Sequence, residues 1–572
     1  MADDKQQGRK RRKRKKRKST PQELEQRALR KDVRAVFSDA GFKKVLSVSD
    51  KEFKFKDRKG DFDDIFVYKN VIVLAEYTCS SESNVSDHLL KKKVLFDLIN
   101  SDQQAFLEML ETTFPTFADA RDTIYSDQDC RIKILYCSRH NLLNEHKIHL
   151  PEVVFFDYPI LRYFKIVTAA VKRSSIYEFL HFIGLSCKDI GFNASSKKDA
   201  TGFVLPESYS SFPKGYKVVT FYIDAGSLLE RAYVLRSDGW SDAFGTYQRM
   251  IVPAKIASMR KYLNSERRVF VNNVIATLPS GTKILDDKGD TVQPTALTQI
   301  QSATIQIPRG FNTVGLVDGQ HRVFSYHEGG EYEEVIAQLR QKQNLLVTGI
   351  IYPIKATELD RMKFEARLFL EINSTQSNAK SDLKQAIGLV LKPFSSESIA
   401  KAVIHKMNCR SPLEGCFEEY FFEKDKVKTM SIVSYGLKPL VKLSGNDSFY
   451  SIWDDPQKSN LLKEDDRPLL EKYIDYCSSQ ICIFMSAVKA SISPSHWTTD
   501  KKCKEKILTT SVINGLVICL RLLIQNNMIS DFAGYKRSLA KLSSFNFSQY
   551  KSSQYAAMAR DLYSNFFETK DG

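Results

Sequence analysis

Leu24, Ala28, Val33, Val36 and Phe37 recur at helical spacing in QELEQRALRKDVRAVFSDAGF, which predicts a helix from Gln22 with these residues on its apolar face. The period then changes. EFKFKD, DDIFVYK and NVIVLAEYT alternate or run apolar between turn residues, which predicts consecutive strands of a meander. A helix over SDHLLKKKVLFDLI follows, then strands RIKILYC and EVVFFD that extend the sheet, then a long helix from Pro159 to about Leu185. Residues 186–217, rich in Ser, Gly, Lys and Pro, read as a linker. Residues 218–390 mix short strands and helices, and residues 391–572 are almost wholly helical in pattern. DDRPLLEKYIDYCSSQICIFMSAVKASI and YAAMARDLYSNFF are typical of that last part. VINGLVICLRLLI (Val512–Ile524) is too short to span a bilayer and contains Arg521, so it predicts a buried core helix. The fold class is therefore α/β (α+β) and multidomain: residues 21–185, a linker 186–217, a second domain 218–390 and a helical region 391–572.

Composition adds a compartment and a partner. With 572 residues, 42% of them hydrophobic, the chain can build sizeable cores without a metal or disulfide staple. Ten scattered cysteines with no C-x-x-C pair read as reduced thiols. With no signal peptide at the head of the chain, the expected location is cytoplasmic, with no membrane contact. Net charge is +17, and residues 1–20, with eleven Lys or Arg against Asp3 and Asp4, hold +9 of it. The run Arg9, Lys10, Arg11, Arg12, Lys13, Arg14, Lys15, Lys16, Arg17 and Lys18 repels itself and has no apolar surface to bury, which predicts a disordered arm over residues 1–20. Its functional reading is DNA contact through phosphates and counterion release; its bland reading is a solubilising tail.

Two stretches carry candidate chemistry. In DDIFVYKNVIVLAEYTCSSE, Asp64 opens one strand and Glu76 closes the next, so the two carboxylates are expected to converge at one sheet end. Two converging carboxylates hold a divalent cation, which activates water and stabilises phosphoryl charge. The leading helix, the sheet and the Asp–Glu-x-Thr spacing over residues 20–185 resemble the PD-(D/E)-x-K nuclease fold. That resemblance implies catalytic and metal roles for Asp64 and Glu76. The motif lysine is replaced by Thr78, and Lys91, Lys92 or Lys93 on the following helix stands in, with Lys91 the first choice. Three readings stay open: an active nuclease, an inactive nuclease-like DNA-binding domain, and an unrelated α/β domain in which Asp64 is a turn residue and Glu76 an edge-strand surface charge.

The second stretch is GLVDGQHRVFSYHEGG, Gly315–Gly330. A strand ending at Val317 and a helix starting near Arg322 would enclose Asp318, Gly319, Gln320 and His321. Gly319 lets an anion approach the main chain, Arg322 offers a planar fork for phosphate, and His321 adds a donor. Asp318 either caps the turn or holds magnesium through water. The plain alternative is a capped strand–turn–helix junction. Asp318–Arg322 matches residue for residue the signature of the DGQHR-domain (DndB-like) family. More distantly the segment is similar to the ParB/sulfiredoxin fold, whose corresponding turn holds nucleotide phosphates. TYQRMIVPAKIASMRKYL (Thr246–Leu263), RRVFVNNVIATL (Arg267–Leu278) and FLEINSTQSNAKSDLKQAIG (Phe369–Gly388) resemble further family elements in the expected order, so the resemblance covers residues 215–390.

The resemblance implies ATP or CTP as ligand with Mg2+, bound by the turn. Asn373 is implied at the metal–triphosphate, or else is a helix C-cap. Arg249 contacts phosphate or makes a surface pair. Asp382 and Gln385 read as a structural capping pair. No G-x-x-x-x-G-K-[ST] is present, so such binding is not of P-loop type, and HEGGE (His327–Glu331) lacks the second histidine of a zincin. The implied role lies in a bacterial or archaeal DNA modification, restriction or defence system of the phosphorothioation kind. It would be nucleoid-associated, possess or lack NTPase activity, and have DNA, proteins of the same locus and further copies of itself as partners. A nucleotide-gated endonuclease and a non-catalytic transcriptional regulator are the alternatives.

Overall fold

The computed structural model describes residues 20–48, 51–79, 82–122, 124–140, 142, 147–148, 150–190, 198–234, 250–376, 387–419, 423, 425–551 and 553–568, without the side chains of 82–87 and 373–376. The basic run at Arg9–Lys18, Arg249 and the Asp382–Gln385 pair lie outside the described residues.

A capping box opens the first helix, Pro21–Ala40: Thr20 Oγ1 accepts from the Glu23 N–H at 3.2 Å, and the Glu23 carboxylate accepts from the Thr20 N–H at 2.9 Å. Its buried stripe is Leu29, Val33, Val36, Phe37 and Ala40. Leu24 and Ala28, expected on that face, are exposed, because the first two turns extend beyond the sheet they would have to cover.

Strands β1 (Lys43–Lys44), β2 (Phe53–Phe55), β3 (Arg58–Gly60), β4 (Asp64–Tyr68), β5 (Val71–Thr78), β6 (Arg131–Ser138) and β7 (Val153–Phe156) follow. They form a mixed sheet in the order β1-β4-β5-β6-β7, with β4 and β5 antiparallel and β5, β6 and β7 parallel. EFKFKD does not join this sheet; β2 and β3 make a separate hairpin, and Lys43–Lys44 takes the place beside β4. The helices Pro21–Ala40 and Tyr158–Val171 cover one face, and Glu82–Ser101 with Gln103–Thr113 cover the other. The helix expected to run unbroken from Pro159 to Leu185 is interrupted at Lys172, whose φ of 44° is incompatible with a right-handed helix; a short tight helix and Ile176–Phe182 continue the chain.

The second sheet contains β8 (Lys198–Val204), β9 (Lys217–Asp224), β10 (Ala232–Tyr233), β11 (Val274–Leu278), β12 (Lys283–Leu285), β13 (Gln301–Ile307), β14 (Val314–Asp318) and β15 (Asn344–Ile351). Their order is β10-β14-β11-β15-β9-β8-β13-β12. β8 falls inside the expected linker and is an interior strand: Ala200, Gly202 and Val204 alternate inward, while Thr201 and Phe203 between them face out. One face of this sheet shares a continuous apolar core with the first sheet, through residues such as Phe179, Val219, Ile305 and Val323. The other face is covered over β11, β14 and β15 by the helix Glu358–Gln376.

From Gly388 onward helices such as Arg467–Ala490, Thr510–Gln525 and Tyr555–Phe566 enclose their own core, as the pattern predicts. Thr510–Gln525 buries Val512, Ile513, Leu516, Val517 and Leu520 within it. Among the described residues no helix is long and apolar enough to cross a membrane.

Candidate functional site

Asp64 and Glu76 do not converge. The β4–β5 register sets Asp64 opposite Ala75, and both lie on the face of the first helix; Glu76, one residue on, points to the opposite face. Asp64 is fully buried and saturated: Arg34 Nε and Nη2 donate to it at 2.7 and 2.9 Å, Lys44 Nζ lies at 2.9 Å and the Tyr77 hydroxyl donates at 2.7 Å. Burial alone would raise its pKa, but these donors outweigh that and hold the carboxyl below its usual range. In this structure Asp64 is the counter-ion of Arg34 and Lys44.

Glu76 instead meets the helix Glu82–Ser101. Lys92 Nζ donates to Glu76 Oε1 at 2.8 Å and to Asp61 Oδ1 at 2.8 Å. Lys91, expected to supply the charge, is exposed, because the sheet-facing stripe of that helix runs through Leu89, Lys92, Leu95 and Phe96. Asp63 stands nearby, its carboxylate bonded by Arg30 Nη2 at 2.5 Å and by the Tyr77 N–H at 2.8 Å. Burial, and then the neighbouring Asp63 and Asp61, raise the Glu76 pKa to about 8 against the opposing pull of Lys92. Thr78 hydrogen-bonds Tyr136, whose hydroxyl lies 3.0 Å from His88 Nδ1. Among the described residues no group of three His, Cys, Asp or Glu is arranged to hold a metal.

At the second stretch the strand β14 ends at Asp318 and the helix Gln320–Phe324 begins two residues earlier than expected, with only five residues. Gly319, at φ 98°, is its N-cap; Asp318 caps nothing. A Cβ at position 319 would lie 3.0 Å from Arg322 Nη2 and 3.1 Å from Val274 Cγ2, so the turn needs glycine for both its backbone and its space. Arg322 is not turned out to solvent. Its Nη2 donates to the Asn273 carbonyl at 2.8 Å and to Asp318 Oδ2 at 2.9 Å. Arg322 Nε and Asn273 Oδ1 are both buried and have no hydrogen-bond partner among the described residues. Asn273 Nδ2 donates to Thr348 Oγ1 at 3.0 Å, which fixes the amide. The Val252 N–H donates to His321 Nε2 at 3.2 Å, so that nitrogen is an acceptor here and carries no proton.

Asn373 lies within the helix Glu358–Gln376 and not at its end, which removes the C-cap reading. Phe369 and Ile372, in the turn before it, belong to the same apolar cluster as Val317 and Ile275. The Tyr-Gln-Arg element is helical from Pro253, where proline occupies the first turn.

Several residues that shape this turn have no motif to announce them. Glu365 is buried beneath β14 and accepts hydrogen bonds from Thr277 Oγ1 at 2.5 Å, Tyr233 at 2.7 Å and the Tyr352 hydroxyl. Burial raises its pKa, and the three hydroxyls oppose that rise. Its signal was a carboxylate at helical spacing in the apolar stripe Met362, Phe369 and Ile372. Arg260 is a second: its guanidinium donates to the carbonyls of Ser325 (3.0 Å), His327 (2.7 Å) and Glu331 (2.6 and 3.0 Å).

With Arg340, whose Nη2 donates to the His327 carbonyl at 2.8 Å, Arg260 clamps the loop that leaves the short helix. The first domain grips the same loop: Ser174 Oγ accepts from the Glu328 N–H at 3.0 Å, and the Arg173 N–H donates to the Glu328 carbonyl at 3.2 Å. His327 is buried at this junction. Burial, and then the charge of Arg260, push its pKa down to about 3. A histidine depressed in the fold contributes stability that is present above its unfolded pKa of about 6.5 and is lost as pH falls toward the folded value. Thermal melts of the wild type should therefore drop steadily between about pH 6.5 and pH 3, and His327→Gln should show a shallower slope in that window. Equal slopes would remove His327 as the source.

No protein-family model, curated protein or solved structure matches this chain.

Proposed function

We propose that the protein is a DNA-associated DGQHR-type protein of a bacterial or archaeal DNA modification or restriction system, and that it binds a nucleoside triphosphate, ATP or CTP, at Asp318–Arg322. The observation that carries this reading is the pair of buried, unmatched polar atoms at the turn, the donor Arg322 Nε and the acceptor Asn273 Oδ1, beside a glycine with no Cβ. Buried polar groups are nearly always paired, so two orphans at one turn mark a place prepared for another polar group. The carboxylate of Asp318 would repel a phosphate; a divalent cation between them removes the conflict, and magnesium is commonly held by one or two carboxylates plus substrate phosphates. The fold of this domain is of ParB/sulfiredoxin type in this reading, and Asn373 and Arg249 complete the phosphate side. The test is calorimetric titration of the full chain with ATP and with CTP, in magnesium and in EDTA. Binding that needs magnesium supports the reading, and no binding of either nucleotide refutes it.

DNA is held through the basic arm. Loss of residues 1–18 should flatten the dependence of DNA affinity on salt, since fewer counterions are released; an unchanged slope would exclude the arm as a phosphate contact.

A second reading, a nucleotide-gated metal-dependent endonuclease of PD-(D/E)-x-K type, rests on Lys92 between Glu76 and Asp61. The ammonium stands where a cation would neutralise those acids, which favours an inactive nuclease-like domain. DNA cleavage in magnesium or manganese that Glu76→Gln abolishes would establish the active form instead.

A further inference from the structure

We propose that a cleft along the helix Glu358–Gln376, separate from the Asp318–Arg322 turn, binds single-stranded nucleic acid. Two cavities, of about 480 and 380 Å³, meet there and share Lys363 in their walls. The larger is walled by Pro213, Tyr216, Pro353 and Phe364 and carries Lys355 and Arg367 at its edge. Phe364 stacks on Tyr216 with ring centres 4.4 Å apart, and Phe212 and Tyr352 meet Phe364 edge-on at 5.6 and 6.0 Å. The aromatic wall is therefore braced from three sides.

Charge points the same way. Among the described residues, Lys355, Lys363 and Arg367 make no side-chain hydrogen bond or ion pair with the protein. The acid in this wall, Asp360, accepts from Thr357 Oγ1 and N–H at 2.7 and 3.1 Å and is held as an anion by these bonds and by the charge of Lys363, so the cations of the wall outnumber it three to one. Besides Lys363 the smaller cavity is lined by Lys392 and Arg467 and by the acids Glu464 and Asp465. One cation between two cavities, the larger walled by the Phe364 ring and the smaller mainly polar, is the arrangement a phosphate beside one stacked nucleoside would meet. Stacking platforms within a positively charged groove are how single strands are held without sequence preference. A duplex keeps its base faces stacked inside and presents none to such a wall.

The site is distinct from the nucleotide turn. Lys363 and Phe364 lie in the second turn of the helix, and no residue of the Asp318–Arg322 turn lines either cavity.

The test uses the full chain and a labelled oligo-dT of about 12 nucleotides, with binding read by fluorescence anisotropy over a range of salt. Lys355→Glu/Lys363→Glu/Arg367→Glu should weaken single-strand binding at least about tenfold and make the salt slope shallower by about two, from three lost phosphate contacts. Duplex binding, carried by the basic arm, should change less than about twofold. Phe364→Leu, which keeps an apolar side chain but loses the ring, should lower single-strand affinity about fivefold or more with duplex binding unchanged. Melting curves check that each variant folds, and Arg367→Glu alone, at an exposed position, gives the same direction if the triple variant does not. Unchanged single-strand affinity, equal losses for single strand and duplex, or displacement of oligo-dT by an acidic peptide at equal charge concentration would each overturn the proposal. None of these readouts requires ATP or CTP, so failure here is separable from failure of the nucleotide reading.

Discussion

Arg322→Ala lowers the affinity for magnesium-bound ATP or CTP about ten- to a hundredfold, the loss of one charge-assisted contact of about 1.5–3 kcal/mol. The guanidinium is already positioned: Asp318 and the Asn273 carbonyl share its Nη2, and Nε is buried without a hydrogen-bond partner. Arg322→Lys does not restore the contact, because an ammonium cannot hold Asp318, the Asn273 carbonyl and a phosphate in one plane. Asp318→Asn separates the two roles of the carboxylate. It removes the repulsion that magnesium has to relieve, so the variant binds nucleotide with little dependence on magnesium while the wild type loses binding in EDTA. Titration of the three variants in both conditions reads all of this. Wild-type affinity in Arg322→Ala would return the turn to a structural junction.

Glu365→Ala destabilises the fold by about 3–5 kcal/mol, measured by denaturant unfolding. Three buried hydroxyls, on Thr277, Tyr233 and Tyr352, share this one acceptor, and truncation leaves all three without it as well as opening a cavity. Glu365→Gln keeps an acceptor oxygen and costs about 1 kcal/mol. Gly315→Ala strikes the same group from the strand side. Its Cβ would come 2.4 Å from Thr277 Oγ1 and 2.7 Å from both Glu365 Oε1 and the Tyr233 hydroxyl, so it overpacks by about 1–3 kcal/mol. If Glu365→Ala unfolded at the wild-type denaturant concentration, the network would be ornament and something else would hold the helix to the sheet.

Much of this was legible in the chain and part of it was misread. The helix from residue 21, the strands β4 to β7 and the helical C-terminal region follow from period alone. The placement of Asp64 follows from the turn that precedes β5. Lys69 and Asn70 make a two-residue connection that pairs Tyr68 with Val71, and counting outward sets Asp64 against Ala75. That count places Asp63, not Asp64, level with Glu76. Lys92 over Lys91 follows likewise from the apolar stripe of its helix. β8 was hidden because composition was weighed over a window while burial alternates residue by residue. The roles of Gly315, Arg260 and Asn273 were beyond reach, since each depends on a partner more than forty residues away in the chain. The turn itself was correctly placed at the end of a strand, but the inward hold on Arg322 depends on Asn273 and so was not visible.

The continuous core between the two sheets makes them a single thermodynamic object. Residues from Leu29 to Ile190 and from Ala200 to Ile351 bury one another's apolar surface, and in the sequence a connection of seven residues separates Ile190 from Lys198. A protease cut in that connection would not release two proteins; the halves would stay associated and melt in one transition. Neither half is a portable module. A shuffled gene carrying the first sheet alone would inherit an uncovered apolar face, so in evolution the two are expected to travel together.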